Sequence, residues 1–287
     1  MKKDAFSQCH PAVNFVYFLF AIGFAVVFQH PAYLLAAALG SGCYCLLLMG
    51  RRAVPLLLGA VPMFVLISLI NPLFNTYGVT VLFTLFGRSY TFEALVYGMV
   101  IGGIFLVMLL LFGCYSQVMT SDKFTSLFGS MIPSLSLLLV MVLRMIPNLA
   151  RKGSQISGAR NAIGKGISGT NRDKLSGGMT VLSALTDWAL EGSIVTADSM
   201  RSRGYGSAKR SSFQIYRFTR RDAILLALIL ILAALVVFSG GKDAVFTPEI
   251  IISPLNWGFP IYCCYLLIPT AMHIKEAVVW HILRSEI

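Results

Sequence analysis

Residues 223–238 read AILLALILILAALVVF, an apolar run without one charged or hydrogen-bonding side chain. A helix that crosses a bilayer needs roughly 17–25 such residues, so this run lies close to the lower limit. Comparable runs predict six spans in all, with soft boundaries: Val13–Phe28, Ala32–Met49, Ala53–Ile70, Ala94–Phe112, Ala223–Phe238 and Leu255–Met272. The expected fold is an all-α, polytopic membrane helical bundle.

The composition of the whole chain agrees with this class. Of 287 residues, 57% are hydrophobic and 12% are charged, whereas soluble proteins average about 25% charged residues. The net charge of +11 is also compatible with nucleic acid or anionic lipid as a partner. We favour the positive-inside rule and no nucleic acid, because a cytoplasmic N-terminus places every Lys and Arg inside except Arg88 and Lys242.

The basic residues concentrate in one insert between the fourth and fifth expected spans. The sequence predicts an N-terminal four-span membrane block over residues 1–119, a cytoplasmic helical region over residues 120–222, and a C-terminal pair of spans over residues 223–287. Because so much positive charge is kept on one side of the membrane, the insert is the best indication of where this chain meets a partner.

Three helices are predicted within the insert. Ser121-Asp122 is a suitable N-cap for a short helix that ends near Met131, and a long helix starts at Pro133. A second long amphipathic helix is predicted over Met179–Arg203, after a break at the glycines between residues 164 and 178.

The segment 133–149 is apolar enough to be taken for a further span. Arg144 would be costly in the middle of a bilayer, and Pro147 interrupts a plain spanning helix. We therefore favour an amphipathic helix that lies near the inner surface of the membrane or against the bundle.

Two features of the first block predict local structure. The outer loop Asn71–Phe92 combines turn signals with alternating apolar residues, which indicates a re-entrant or hairpin excursion. The pair Gly98-x-x-x-Gly102 in the fourth span favours close contact with another helix.

Patterns of catalytic or metal-ligating residues are missing from the sequence. The six cysteines include no Cys-x-x-Cys pair, and the four histidines have no ligand spacing. Gly158–Gly166 resembles a phosphate loop only superficially, because the Gly-x4-Gly-Lys-[Ser/Thr] spacing is not met. We therefore expect no catalytic residue, metal or cofactor here, and any ATP must be hydrolysed by another subunit.

Each long helix of the insert ends with an arginine among small residues, namely Ala159-Arg160-Asn161 and Ser202-Arg203-Gly204. Cations are favoured at helix C-termini by about 0.3–1 kcal/mol, which explains either arginine taken alone. A guanidinium among small residues is also able to form a two-pronged bond with a partner's carboxylate. The duplication of the pattern favours docking.

These residues resemble the transmembrane T component of energy-coupling factor (ECF) transporters, a branch of the ABC transporters. The resemblance covers nearly the whole chain. Its further elements are His10-Pro11 before the first span, Asn71-Pro72-Leu73-Phe74 after the third, Thr120-Ser121-Asp122-Lys123 (similar to Thr-Ser-Pro-Glu) and Leu143-Arg144-Met145-Ile146-Pro147 (similar to Leu-Arg-Phe-Ile-Pro).

The most specific elements are the two Ala-Arg-Gly signatures at the ends of the family's coupling helices. Each departs by one residue, because Asn161 replaces Gly and Ser202 replaces Ala, while Tyr205 matches the usual aromatic residue after the second signature. Both arginines, Arg160 and Arg203, are present. The departures bear on the fine geometry of docking more than on the role itself.

The resemblance implies a non-catalytic subunit of a four-part importer in a bacterial or archaeal cytoplasmic membrane. Two ABC ATPase subunits would bind the coupling helices through Ala159, Arg160, Asn161, Ser202, Arg203 and Gly204. A membrane S component would capture a vitamin or metal, and this chain would link ATP hydrolysis to release of that substrate.

Two rival classes remain open. A permease of an ordinary ABC importer carries one coupling loop with a Glu-Ala-Ala-like run, for which Ala189-Leu190-Glu191-Gly192 is a poor match. A membrane-embedded enzyme would need active-site residues of a pattern that the sequence does not display.

Overall fold

The computed structural model describes residues 5–75, 78, 80–85, 88–129, 133–164, 171–207, 216–240 and 256–285. The described residues of Met1–Phe124 and Tyr216–Ile287 form one compact unit, here called the bundle unit. Those of Thr125–Ile215 form a second, the insert unit. In chain order the elements are α1 (Ala5–Gln8), α2 (Pro11–Val27), α3 (Pro31–Met49), a 3₁₀ turn (Gly50–Arg52), α4 (Ala53–Phe74), β1 (Val81–Leu85), β2 (Arg88–Thr91), α5 (Phe92–Val118), α6 (Ser121–Gly129), α7 (Pro133–Ala162), α8 (Asn171–Ser202), α9 (Arg220–Gly240) and α10 (Gly258–Ser285).

The chain is an all-α protein with helices that suit a membrane. In the described ranges, three helical stretches are long and apolar enough to cross one: Pro31–Phe74, Phe92–Val118 and Arg220–Ser239. The helix α2 is a shorter apolar helix. Each of the six expected spans coincides with one of the helices α2 to α5, α9 and α10, although Leu255 lies outside the described residues.

Two His-Pro pairs define where the first long helices begin. His10 and His30 occupy the N-cap positions of α2 and α3, and the proline that follows each is the first helical residue. Proline is favoured there because its missing N–H would be unpaired in any case. Each imidazole Nδ1 accepts a hydrogen bond from a backbone N–H, that of Ala12 or of Ala32, at 3.2 Å.

The helices α4 and α5 approach closely at glycines. A Cβ at Gly98 would lie 2.7 Å from the Ser68 carbonyl oxygen, and one at Gly102 would lie 3.0 Å from the Phe64 carbonyl oxygen. The predicted packing role of this glycine pair is therefore confirmed. Near the other end of α5, Gly113 faces Leu56, close to the start of α4. The two helices are thus antiparallel.

The long stretch Pro31–Phe74 is folded back on itself. The start of α3 lies against the start of α5, where Gly103 faces Leu34, and further along Gly42 faces Leu110. The helices α3 and α5 are therefore parallel, whereas α4 and α5 are antiparallel. The reversal occurs at the 3₁₀ turn, where Gly50 has a φ of +57° that other residues rarely adopt.

An aromatic core joins α2 to α10. The rings of Tyr17 and Tyr265 stack at 5.1 Å, and Tyr265 donates a hydrogen bond to the Tyr17 carbonyl oxygen at 2.8 Å. The ring centroids of Phe24 and Tyr262 are 6.2 Å apart. This second contact lies later in α2 but earlier in α10 than the first, so the two helices are antiparallel. Because Gly40 of α3 faces Leu266 of α10 and Tyr33 faces Phe259, α3 and α10 are parallel.

The six long helices of the bundle unit alternate in direction along the chain. Their order is α2, α3, α4, α5, α9 and α10, and α9 starts beside the start of α2. The N-terminal segment, the 3₁₀ turn and both junctions with the insert unit therefore lie at one end of the bundle.

The expected loop excursion between the third and fourth spans is a hairpin. The strands β1 and β2 pair antiparallel, with an irregularity in register after Val81. Tyr90 in β2 is buried and donates a hydrogen bond to the Leu69 carbonyl oxygen of α4 at 3.1 Å. Burial raises the pKa of the Tyr90 phenol. The hairpin is thereby tied to the end of the α4–α5 pair.

Of the helices predicted after residue 120, α7 begins at Pro133 as expected, whereas α8 differs from its predicted bounds. The predicted start at Met179 is wrong, because α8 begins at Asn171 and continues through Gly177 and Gly178. Each glycine costs about 0.5–1 kcal/mol relative to alanine, which weakens a helix without ending it, and Gly177 is buried. The helix α6 begins at Ser121 as expected, and its predicted end near Met131 lies outside the described residues.

Candidate functional site

The two long helices of the insert unit contact each other near their middles. The ammonium of Lys152 in α7 lies 5.8 Å from the centroid of the Trp188 ring in α8, within the range of a cation–π interaction. One residue further, a Cβ on Gly153 would be 3.4 Å from Leu185. A Cβ at this distance would make an ordinary van der Waals contact, so Gly153 faces Leu185 of α8 without being required at this point.

Each candidate docking residue lies well beyond this contact. The helices α7 and α8 have 30 and 32 residues, which corresponds to about 45 and 48 Å. Arg160 is eight residues past Lys152, and Arg203 is fifteen residues past Trp188. At 1.5 Å per residue these arms are about 12 and 22 Å long. The two signatures are thus carried at the ends of helical arms.

The end of α8 is a well-formed glycine cap. Gly204 has a φ of +77°, its N–H donates to the Arg201 carbonyl oxygen at 3.0 Å, and the Tyr205 N–H donates to that of Met200 at 3.0 Å. This pair of bonds is the Schellman motif, which satisfies carbonyl groups that a helix end leaves unpaired. Arg203 is therefore the C-cap residue, the last position before the chain turns away.

The end of α7 also has a glycine with a positive φ, at a greater distance from its arginine. Gly164 has a φ of +73°, and its N–H donates to the Asn161 carbonyl oxygen at 3.1 Å. Asn161 itself is helical. Arg160 consequently lies a full turn before the cap, whereas Arg203 lies directly before its own.

The two arginines also differ in their surroundings. Arg203 is exposed, as are Ser202 and Gly204, and likewise Ala159 and Asn161. Arg160 is half-buried, and its Nε is buried with no hydrogen-bond partner among the described residues. A guanidinium has five N–H donors in a planar fork, and an unpaired buried donor costs about 1–3 kcal/mol.

The predicted residues therefore form two small sites, each at the end of its own helix. Both sites are within the insert unit and are built from α7 and α8 alone. Each places one cation at a helix C-terminus, where the macrodipole favours it. Neither site holds a group suited to proton transfer.

Two buried charged side chains were missed by the sequence reasoning, which counted them with the insert. Lys123 is 5% exposed and Asp222 is 6% exposed, and both lie in the bundle unit next to its junctions with the insert unit. The spacing Thr219-x-x-Asp222 matches a helix capping box and is the signal that would have identified Asp222. Lys123 has no comparable local signal.

The bundle unit displays no metal centre in its described part. No group of three or more His, Cys, Asp or Glu residues converges among the described residues. The six cysteines, all within the described residues, form no disulfide with one another, and Cys45 and Cys114 are buried. The comparisons with known proteins add no identity, since no family model and no curated protein matches the chain.

Proposed function

We propose that this chain is the energy-coupling transmembrane subunit of an ECF-type ABC importer. In this role it links ATP hydrolysis by two ATPase subunits to substrate release from a membrane S component during vitamin or metal uptake. The observation that carries the proposal is the pair of arginines, each at the capped end of a long helix in one unit. The resemblance in sequence assigns those two positions to ATPase docking.

Two features of the helix ends support docking. In α8 the glycine cap directly follows Arg203, whose side chain is exposed to a partner surface. The small neighbours Ala159 and Ser202 allow a partner backbone to come close.

The helical arms provide a mechanism for passing motion from the ATPases. Closure of an ATPase pair on ATP would displace the two ends, and the contact of Lys152 with Trp188 would couple the displacement of α7 to that of α8. The differential contacts of the ATPases in their open and closed states supply the free energy of the shift. The displacement reaches the bundle unit through the two junctions of the insert unit.

The bundle unit fits a bilayer with the insert on the cytoplasmic side. The end of the bundle that contains both junctions also contains Arg51 and Arg52 of the 3₁₀ turn, whereas Arg88 lies in the hairpin at the other end. This distribution satisfies the positive-inside rule. In this orientation the six alternating helices are six spans of a bacterial or archaeal cytoplasmic membrane protein.

The surface of α4 is strongly apolar and is left uncovered in the bundle unit. Its exposed residues include Val54, Leu58, Val61, Leu66, Leu69, Ile70 and Phe74. A lipid bilayer accepts such a surface, and so does the apolar exterior of a membrane S component. Selection of the substrate would reside in that component.

The docking assignment is tested by reversing the two charges. Arg160→Glu together with Arg203→Glu should abolish co-purification with the ATPase subunits of the native membrane and abolish uptake, because each new carboxylate would repel the partner's carboxylate that the arginine is proposed to bind. The matched control is Arg151→Glu with Arg201→Glu, which makes the same charge change on the same two helices. Undiminished co-purification and uptake in the first variant would contradict the assignment.

A further inference from the structure

The chain passes between the bundle unit and the insert unit twice, at Phe124–Thr125 and at Ile215–Tyr216. A buried charged residue stands beside each passage: Lys123 directly before the first, and Asp222 shortly after the second. Burial of a charge is costly unless several hydrogen bonds compensate it. The partners of these two side chains therefore show what each passage is attached to.

Lys123 attaches the first passage to two helix ends. Its Nζ donates to the Val118 carbonyl oxygen at 2.8 Å, to the Ser7 Oγ at 3.1 Å and to the Ser7 carbonyl oxygen. Val118 is the last residue of α5, and Ser7 lies in the short helix α1. The three donors of the ammonium are thus used, and the cation is close to helix carbonyl groups that favour it.

Asp222 attaches the second passage to the segment after α1. Its Oδ1 accepts from the His10 N–H at 3.0 Å, and its Oδ2 accepts from the Thr219 N–H at 3.0 Å and the Thr219 hydroxyl at 2.7 Å. The bonds to Thr219 form the capping box of α9. The bond to His10 instead reaches across the sequence to the start of α2.

Both passages are therefore bonded to one short segment, Ser7–His10. The segment is itself fixed, because Phe6 before it is fully buried and its ring centroid lies 5.2 Å from that of Tyr17. At its other end the His10 ring caps α2 and packs edge-on against the Phe218 ring, with the ring centroids 5.1 Å apart. A displacement of either passage thus acts on the same few residues.

We propose that Ser7–His10 is a clip that holds the two passages of the insert unit together, with Lys123 and Asp222 as its positioning residues. The clip makes the starts of α6 and α9 move as one body with the start of α2 and the end of α5. Its role in transmission rests on the proposed function, since it would carry the motion of the insert unit into the spans. The existence of the clip itself does not depend on that function.

Amide hydrogen exchange in the full-length chain, purified in detergent, tests the clip directly. In Lys123→Met the amides of His10 and Thr219 should exchange about tenfold faster, although Lys123 bonds to neither. In Asp222→Asn the Phe124 amide, bonded to the Thr120 carbonyl oxygen at 3.0 Å, should exchange faster as well. The matched controls, Lys174→Met and Asp198→Asn at exposed positions of α8, should change neither passage.

The decisive observation is the cross-effect, that is, whether a substitution at one passage changes amide exchange at the other passage. If each variant loosens only its own passage, Ser7–His10 is not a clip and the proposal is overturned. Should Lys123→Met fail to fold, Ser7→Ala removes one of the three acceptors of Nζ and should still accelerate exchange at His10 and Thr219. An unchanged exchange rate in Ser7→Ala together with a local effect of Asp222→Asn would overturn the clip equally.

Transmission of motion through the clip is tested by measuring substrate uptake in the complex reconstituted with ATPases and S component. Both clip variants, Lys123→Met and Asp222→Asn, should still form the complex and hydrolyse ATP, but the substrate taken up per ATP hydrolysed should fall about tenfold. The α8 controls should keep the uptake per ATP of the native chain. A cross-effect on exchange with unchanged uptake per ATP would overturn the transmission role. If the wild-type chain binds no ATPase, the proposed function fails while the exchange measurement still decides on the clip.

Discussion

Gly204 occupies a backbone conformation at the end of α8 that L-residues avoid, with a φ of +77°. A side chain there costs about 1–2 kcal/mol, so Gly204→Ala should fray the last turn and accelerate exchange of the Tyr205 amide. Binding of ATPase subunits should weaken as well, since Arg203 loses its fixed position. The measurement is amide exchange of the peptide over residues 200–207, with binding followed on the same sample.

A matched glycine in the same helix should respond in the opposite sense. Gly192 lies in the interior of α8, and a Cβ there would meet no atom within 4 Å. Gly192→Ala should therefore raise helix stability by about 0.5–1 kcal/mol and slow local exchange. Equal effects of the two substitutions would contradict the role assigned to the Gly204 cap.

Substitution of Arg160, at the end of α7, tests whether a partner recognises the charge of this residue or the planar shape of its guanidinium group. Arg160→Lys keeps the positive charge but removes the planar fork and the Nε donor, which is buried without a described partner. ATPase binding should fall about tenfold if a two-pronged bond to a carboxylate is formed. Titration of the purified chain with ATPase subunits measures it. Binding equal to that of the native chain would show that charge alone is recognised.

The candidate site was predictable from sequence at the level of residues but not of their surroundings. The arginines and the glycines beside them are visible in the sequence, because helix ends have local signals. The burial of Arg160 Nε and the extra turn after Asn161 depend on tertiary packing and on cap geometry. Lys123 was unpredictable for the same reason, since its partner Ser7 is 116 residues away.

Among the elements, the α4–α5 pair depends on the absence of side chains at two positions. A Cβ at Gly98 would lie 2.7 Å from a backbone oxygen of Ser68, and backbone cannot move aside as a flexible side chain does. Gly98→Ala should therefore force the helices apart and cost about 1–3 kcal/mol, seen as a lower midpoint of thermal unfolding in detergent.

The control for this substitution is Gly59→Ala in α4, where a Cβ would meet nothing within 4 Å. It changes a helical glycine of the same pair of helices without touching the contact. Its unfolding midpoint should be equal to or above that of the native chain. A comparable loss in both variants would mean that close approach at Gly98 does not limit stability.

Helix existence followed from the sequence more reliably than helix length. Apolar runs with few polar residues identified all six long helices of the bundle unit, since burial in lipid or protein demands them. The start of α8 was misplaced because Gly177 and Gly178 were given the weight of a break. Local propensity is a weak prior, and the burial of Gly177 indicates packing that overrides it.

At the scale of the whole molecule, the alternation of helix directions was implied by the chain before any contact was known. Successive spans joined by short connections must reverse, and the turn at Gly50–Arg52 is a short one. Which helices are neighbours was not implied, because α3 packs against both α5 and α10 through pairs such as Gly40 with Leu266. Such pairings are decided by side-chain fit between distant segments.

The orientation of the whole molecule in the membrane is the last prediction, and charge decides it. The hairpin end carries Arg88, while the opposite end carries the 3₁₀ turn and the junctions of the basic insert unit. Translocation of the basic end would oppose the positive-inside rule.

The orientation is tested by labelling intact cells with a membrane-impermeant maleimide, in a background in which the native cysteines are replaced by serine. The reagent should label Thr84→Cys in the hairpin and fail to label Ser207→Cys in the insert unit. Both positions are exposed, so permeabilised cells should show labelling of each and serve as the control. Labelling of Ser207→Cys alone in intact cells would reverse the orientation and place the candidate docking arginines on the side that contains no ATP.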